Sequence, residues 1–275
     1  DLASGRPVEV AGARYETART NIAPGPWGAH SWHAMSVNPD TGLVYIPTLH
    51  MTLGFGDEGI DRAGFQAEPF RGGVGATLTW PEDQPRDYPA SLVARDPVTQ
   101  KKAWEIPQET FWSAGTLTTA GNLVFQGRAD GHLVAYDART GDERWSFDAG
   151  LGISAPPITY EIDGTQYISL LVGFGGGYSS LGGQDVANLG WSYRAQTRRL
   201  ITFSLDGDAN MPPQPPPRVP EPIPADFRVD ATLAEAGRVL FDRYLIEGVC
   251  WGCHGMGAVS GGAAPDLRAS AAVLD

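Results

Sequence analysis

Asp96-Pro97-Val98-Thr99-Gln100-Lys101-Lys102-Ala103-Trp104 and Asp137-Ala138-Arg139-Thr140-Gly141-Asp142-Glu143-Arg144-Trp145 follow one pattern, with the Asp pair and the Trp pair each 41 positions apart. Asn38-Pro39-Asp40-Thr41-Gly42-Leu43-Val44-Tyr45 carries the same turn, with Tyr near its end. A recurrence of about 40–45 residues built from short β-rich runs is the signature of propeller blades. The Asp…Thr-Gly turn joins two strands of a blade. The Trp wedges against the neighbouring blade, because one four-stranded sheet cannot bury both faces alone. The expected fold class is an all-β propeller; a β-sandwich with two similar hairpins is the alternative.

The strand candidates agree with this. Leu43-Val44-Tyr45-Ile46, Leu123-Val124-Phe125-Gln126, His132-Leu133-Val134-Ala135-Tyr136 and Tyr167-Ile168-Ser169-Leu170-Leu171-Val172 are β-rich runs of strand length. Turn signals separate them: Ala120-Gly121-Asn122, Asp130-Gly131, Thr140-Gly141 and Asp163-Gly164, the last being the best hairpin candidate. Residues 54–90 break the rhythm, rich in Gly, Pro and acids, with no clear strand; a functional loop over a pocket mouth is one reading of such a stretch.

Composition narrows the function classes. The net charge of −12 repels phosphate backbones and anionic headgroups, so neither nucleic-acid binding nor polybasic membrane docking is expected. No apolar run reaches 18 residues, so no transmembrane segment is expected. The N-terminal Asp1-Leu2-Ala3-Ser4-Gly5-Arg6 lacks the basic and apolar regions of a signal peptide, and reads as the start of a mature product or an excised piece. Only Lys101 and Lys102 are lysines, which leaves no Lys elsewhere for a Schiff base or a buried general base.

Met211 to Pro224 is a polyproline stretch, semi-rigid and extended, that marks a domain boundary. The expected organisation is propeller blades over 1–210, a linker over 211–226 and a small all-α domain over 227–275. From Ala231 to Glu247, Leu233, Gly237, Leu240, Phe241 and Tyr244 recur with helical period; Asp230 and Thr232 offer capping oxygens, and Gly248 offers a stop.

That helix leads to Cys250-Trp251-Gly252-Cys253-His254, which holds both cysteines of the chain. Cysteines three apart on a helical turn point to one side, with the following His beside them. Both sulfurs can then bond to haem vinyl groups while His254 ligates the iron. A zinc site would need more ligands, and a redox dithiol commonly follows a βαβ pattern; haem c is the favoured reading.

The tail resembles a class I cytochrome c domain. Gly237 and Phe241 match that family's N-terminal helix, and Pro265-Asp266-Leu267 is similar to its Pro-x-Leu segment. By that resemblance the Pro265 carbonyl orients His254. The family's sixth ligand, a downstream Met, and its closing helix are not found before Asp275; Met256 is too close to His254 to serve, and Met211 is a remote substitute.

The whole chain resembles the C-terminal portion of the quinohaemoprotein alcohol dehydrogenases, periplasmic PQQ enzymes with an eight-bladed propeller. Gly28-Ala29-His30-Ser31-Trp32-His33-Ala34-Met35-Ser36 is similar to a family Gly-x-His-Asn-Trp segment whose Asn-Trp pair contacts PQQ, so the resemblance implies contacts from Ser31 and Trp32. Thr116 to Gly131 matches another family segment, and so does Val172-Gly173-Phe174-Gly175-Gly176, which implies that Val172 and Phe174 lie near the quinone. The family's catalytic Asp, Ca²⁺ ligands, adjacent-Cys disulfide and PQQ-pairing Arg and Lys correspond to positions before Asp1, so none is expected in this chain.

The resemblance implies an enzyme that oxidises a small alcohol with PQQ and Ca²⁺. It then passes electrons through haem c to a soluble cytochrome, a copper protein or a membrane quinone system. The chain alone is expected to be inactive. A non-catalytic haem electron-transfer protein on a propeller scaffold is the alternative, and a cofactor-free binding scaffold a third reading. His30, His33, His50 and His132 are expected to be hydrogen-bonded packing residues, with His30 singled out for its place beside the quinone segment.

Overall fold

Three side-chain oxygens build the repeat. Asn38 Oδ1 accepts from the amides of Asp40 and Thr41, Asp96 Oδ1 from Val98 and Thr99, and Asp137 Oδ1 from Arg139 and Thr140, all at 2.8–3.2 Å. Each is the same Asx turn. It closes on a residue with positive φ: Gly42 (68°), Gln100 (60°) and Gly141 (79°).

The computed structural model describes residues 1, 3–10, 12–15, 18–57, 63–64, 77–79, 86–173, 183–189, 198–213, 226–242, 250–260 and 264–269. Its strands are β1 (Thr20–Ile22), β2 (Ser36–Asn38), β3 (Leu43–Leu49), β4 (Leu53–Gly56), β5 (Thr77–Thr79), β6 (Ala90–Arg95), β7 (Lys102–Gln108), β8 (Thr116–Thr118), β9 (Leu123–Gly127), β10 (His132–Asp137), β11 (Glu143–Asp148), β12 (Ile158–Ile162), β13 (Thr165–Val172) and β14 (Arg199–Phe203). They form sheets in the orders β2-β3-β6-β7, β8-β9-β10-β11 and β12-β13-β14, and a smaller sheet β1-β4-β5. All the pairings are antiparallel. Among the described residues the sheets do not close into a ring.

The sheets stack face to face in chain order. Leu133 and Ala135 of β10, with Phe125 of β9, share a cluster with Leu170 and Val172 of the following sheet. The alternate residues Val134, Tyr136 and Val124 pack on Tyr45, Leu92 and Ala94 of the preceding one. Both faces of β9 and β10 are therefore buried, which is why these two strands read as continuous apolar runs, whereas β11 at the sheet edge is largely exposed. Trp104 from β7 lies against the next sheet's turn, its Nε1 donating to the Ala138 carbonyl at 3.1 Å. Trp145 similarly meets Phe203 of the following sheet edge-on at 5.5 Å. The far face of β12-β13-β14 stays uncovered, with Ile158, Tyr160, Ile162, Leu171 and Leu200 exposed.

Asp163-Gly164 is the tight hairpin expected, both residues at positive φ between the paired Ile162 and Thr165. The stretch read as strandless contains β4 and β5; most of the chain between them lies outside the described residues. So does 214–225 of the linker.

Beyond the sheets, α1 (Gly183–Asn188), α2 (Ala231–Asp242) and α3 (Cys250–His254) are followed by 3₁₀ turns at Met256–Ala258 and Leu267–Ala269. Asp230 caps α2, its Oδ1 accepting from the amides of Thr232 and Leu233. The expected helix over 231–247 is described only to Asp242, and Leu233 on its apolar side is 70% exposed. No helix among the described residues is long and apolar enough to cross a membrane.

Candidate functional site

Gly28 starts the segment that presents Ser31 and Trp32. Its φ of 76° and the 2.8 Å approach of the His30 carbonyl to a Cβ position admit only glycine. Gly115 allows a second close approach, since a Cβ there would lie 2.6 Å from the Ala34 amide nitrogen. The Thr116 amide then donates to the Ala34 carbonyl at 2.8 Å, and the Ser36 and Thr116 hydroxyls meet at 2.8 Å. These contacts pin residues 28–36 to the β8-β9-β10-β11 sheet.

An aromatic chain results. Trp27 meets Phe111 at 6.0 Å and Phe111 meets Trp112 at 5.5 Å. Trp112, at the unusual φ of 84°, meets the edge of His33 at 4.9 Å. His33 stacks on Trp32 with centroids 4.5 Å apart and planes 19° from parallel. Trp32 is 62% exposed, whereas His33 is 2% exposed. Neither ring nitrogen of His33 has a hydrogen-bond partner among the described residues. Burial, aided by nearby His30, pushes its pKa down to about 4, so the ring is neutral at pH 7.

His30 is hydrogen-bonded, as expected of the histidines. Its Nδ1–H donates to the Pro47 carbonyl at 2.7 Å, so it is tied to β3. His50 and His132 are hydrogen-bonded as expected, to Ser91 and Asp130. His33 is the departure from the packing expectation. Its place beside Trp32 was visible in the chain; its burial arises from Trp112, 79 positions away, and no local signal carried that.

Val172 is buried in the core cluster to which Trp112 also packs, so its side chain faces the interior. Phe174 lies outside the described residues.

At the C-terminal end, α3 carries both thiols on its exposed side. Its last residue, His254, places Nδ1 2.8 Å from the Pro265 carbonyl. A carbonyl only accepts, so the proton sits on Nδ1 and the Nε2 lone pair is left to bind a metal. Gly255 closes the helix at φ 83°, where a Cβ would come 1.8 Å from the Val259 carbonyl oxygen. Asp266 accepts from the Arg268 guanidinium at 3.0 Å, and α1 lies against the Met256–Ala258 turn. Met211 sulfur accepts from Arg199 at 3.4 Å. No three His, Cys, Asp or Glu side chains among the described residues converge as a metal cage.

Residues 89–168 match the PQQ family described as the glucose/ethanol/alcohol dehydrogenase β-propeller domain. The quinohaemoprotein alcohol dehydrogenase ADH IIB of Pseudomonas putida is 43% identical over 98% of this chain and 38% of its own length. The 1-butanol dehydrogenase (cytochrome c) of Thauera butanivorans is 35% identical over 98% of this chain and 38% of its own length. The solved quinohaemoprotein alcohol dehydrogenase ADH IIG of P. putida HK5 superposes with a TM-score of 0.83 at 38% identity, covering 98% of this chain and 40% of that one. Along nearly its whole length the chain is similar to quinohaemoprotein alcohol dehydrogenases. It spans about two fifths of the length of these relatives. Within the quinohaemoprotein match fall both the Trp32 segment and the Cys250–His254 turn.

Proposed function

We propose that this chain is the electron-output portion of a PQQ-dependent alcohol dehydrogenase: the last blades of an eight-bladed propeller over 1–210, a linker over 211–226 and a cytochrome c domain over 227–275. The observation that carries the reading is the hydrogen bond from His254 Nδ1 to the Pro265 carbonyl, beside two exposed thiols on the same helix. That donor set suits a covalently attached haem. Cys250 and Cys253 would hold it by thioethers, and His254 Nε2 would be the axial ligand. Pro265 fixes the imidazole plane and keeps the tautomer that leaves Nε2 free.

The Trp32 face suits a planar ligand, because an exposed indole is backed by a buried ring. Trp32, with Ser31, would line the PQQ site, the resemblance adds Phe174, Val172 would support the site only from the core behind it, and residues outside this chain would hold Ca²⁺. When bound, PQQ supplies a two-electron acceptor for an alcohol, and haem a one-electron carrier to an external acceptor. This chain's own residues would hold and orient both groups. The names of the relatives support a small primary alcohol as substrate. Haem attachment through exposed thiols supports a periplasmic location, and a soluble cytochrome, a copper protein or a membrane quinone system would take the electrons.

Expression with the cytochrome c maturation machinery in an oxidising compartment tests the reading. The expected product is red, keeps its haem under denaturing conditions and loses it in Cys250→Ala/Cys253→Ala. Colourless, haem-free protein would overturn the proposal.

A further inference from the structure

His33 is buried against Trp32, and neither of its ring nitrogens has a partner among the described residues. An imidazole in that position is a poor choice for packing alone. Phe would fill similar space, stack equally on Trp32 and meet Trp112 edge-on, without a stranded donor and acceptor. An unsatisfied buried group of this kind points to a partner that another state of the molecule supplies. By contrast, Glu105 is satisfied by Arg86, Lys102 and Ser91, and His30 by Pro47.

We propose that His33 is a hydrogen-bonding residue for the ligand at Trp32, its ring N–H or lone pair reserved for a planar, carboxylate-bearing quinone or for a water which that quinone orders. The inference rests on the reading that Trp32 contacts the quinone. Trp32 stacks directly on the imidazole and is itself largely exposed, so the indole lies between His33 and solvent. The neutral ring keeps one donor and one acceptor, so it can serve either a carboxylate oxygen or a water.

The test is His33→Phe, made in the longest form of the protein that its gene encodes. Thermal unfolding without cofactor and PQQ affinity by quenching of tryptophan fluorescence are measured. The two readouts are expected to move in opposite directions. The cofactor-free protein melts about 3 °C higher, because the stranded polar atoms are gone, and PQQ binds roughly tenfold more weakly. Unchanged affinity in His33→Phe, alongside weakened binding in Trp32→Ala, would overturn the role of His33 while leaving the quinone reading intact. Unchanged affinity in both variants would remove the quinone reading itself. If His33→Phe does not fold, ¹⁵N-imidazole NMR of the parent decides: the His33 ring nitrogens shift on addition of PQQ if the inference holds, and stay in place if it does not.

Discussion

Trp104 donates its indole N–H to the Ala138 carbonyl at 3.1 Å while its ring lies over Gly141, so the tryptophan of one repeat reads the turn of the next. A Cβ on Gly141 would come 2.9 Å from Trp104 Cδ2, whereas the equivalent Gly42 has nothing within 4 Å. Gly141→Ala should therefore cost more than Gly42→Ala. The latter bears only the left-handed backbone penalty of about 1–2 kcal/mol, and the former adds a clash at the interface. Chemical denaturation of both variants checks the ranking.

The same comparison exposes a weak position. Gln100 stands at φ 60° where the other two copies have glycine. Gln100→Gly is expected to stabilise by about 0.5–1 kcal/mol, with the bond from its side chain to the Pro97 carbonyl as the only loss. A shift in denaturation midpoint at unchanged slope is the expected result.

Two groups make the fold acid-sensitive in different windows. His33 has a folded pKa of about 4 against 6.5 unfolded, so the unfolded chain binds more protons between those values. Stability should fall by about 3 kcal/mol as pH drops from 6.5 to 4, and His33→Phe should flatten that limb. Burial alone would raise the Glu105 pKa, but the hydrogen bonds from Lys102 and Ser91 and the Arg86 charge outweigh it and hold the carboxyl at about 2. Its contribution is full above about pH 4.5 and is lost as pH falls towards 2. Glu105→Gln should remove about 2 kcal/mol, after allowance for solvent screening, at neutral pH and little at pH 2. Unfolding curves across pH for both variants separate the two limbs.

Gly255 is the most restrictive backbone position at the C-terminal end. Gly255→Ala should displace the turn after His254 and lower the yield of covalently attached haem several-fold, read by haem staining of denatured protein. Gly257→Ala, where nothing lies within 4 Å, should have a much smaller effect.

The repeat was legible because its signals are local. Asx turns, positive-φ glycines and runs apolar on both faces are written within ten residues, and β3, β9, β10 and β13 fall where those runs predict. β4 escaped because it is four residues long and its pairing with β1 joins Phe55 to Thr20, far away in the chain. At the site, Trp32 was visible from its motif, and the link from His254 to Pro265 was implied by resemblance. His33 was passed over in favour of His30 because a sequence shows adjacency but not burial, and the ring that encloses His33 comes from Trp112.

The inner strands β9 and β10 have no watery side. Because Leu133 and Ala135 of β10 face one neighbour and Val134 and Tyr136 the other, successive positions meet different partners but equal confinement. A saturation scan across Leu133 to Tyr136 of β10 should therefore give an unbroken bar of intolerance to charge, where a strand with one wet face would give stripes.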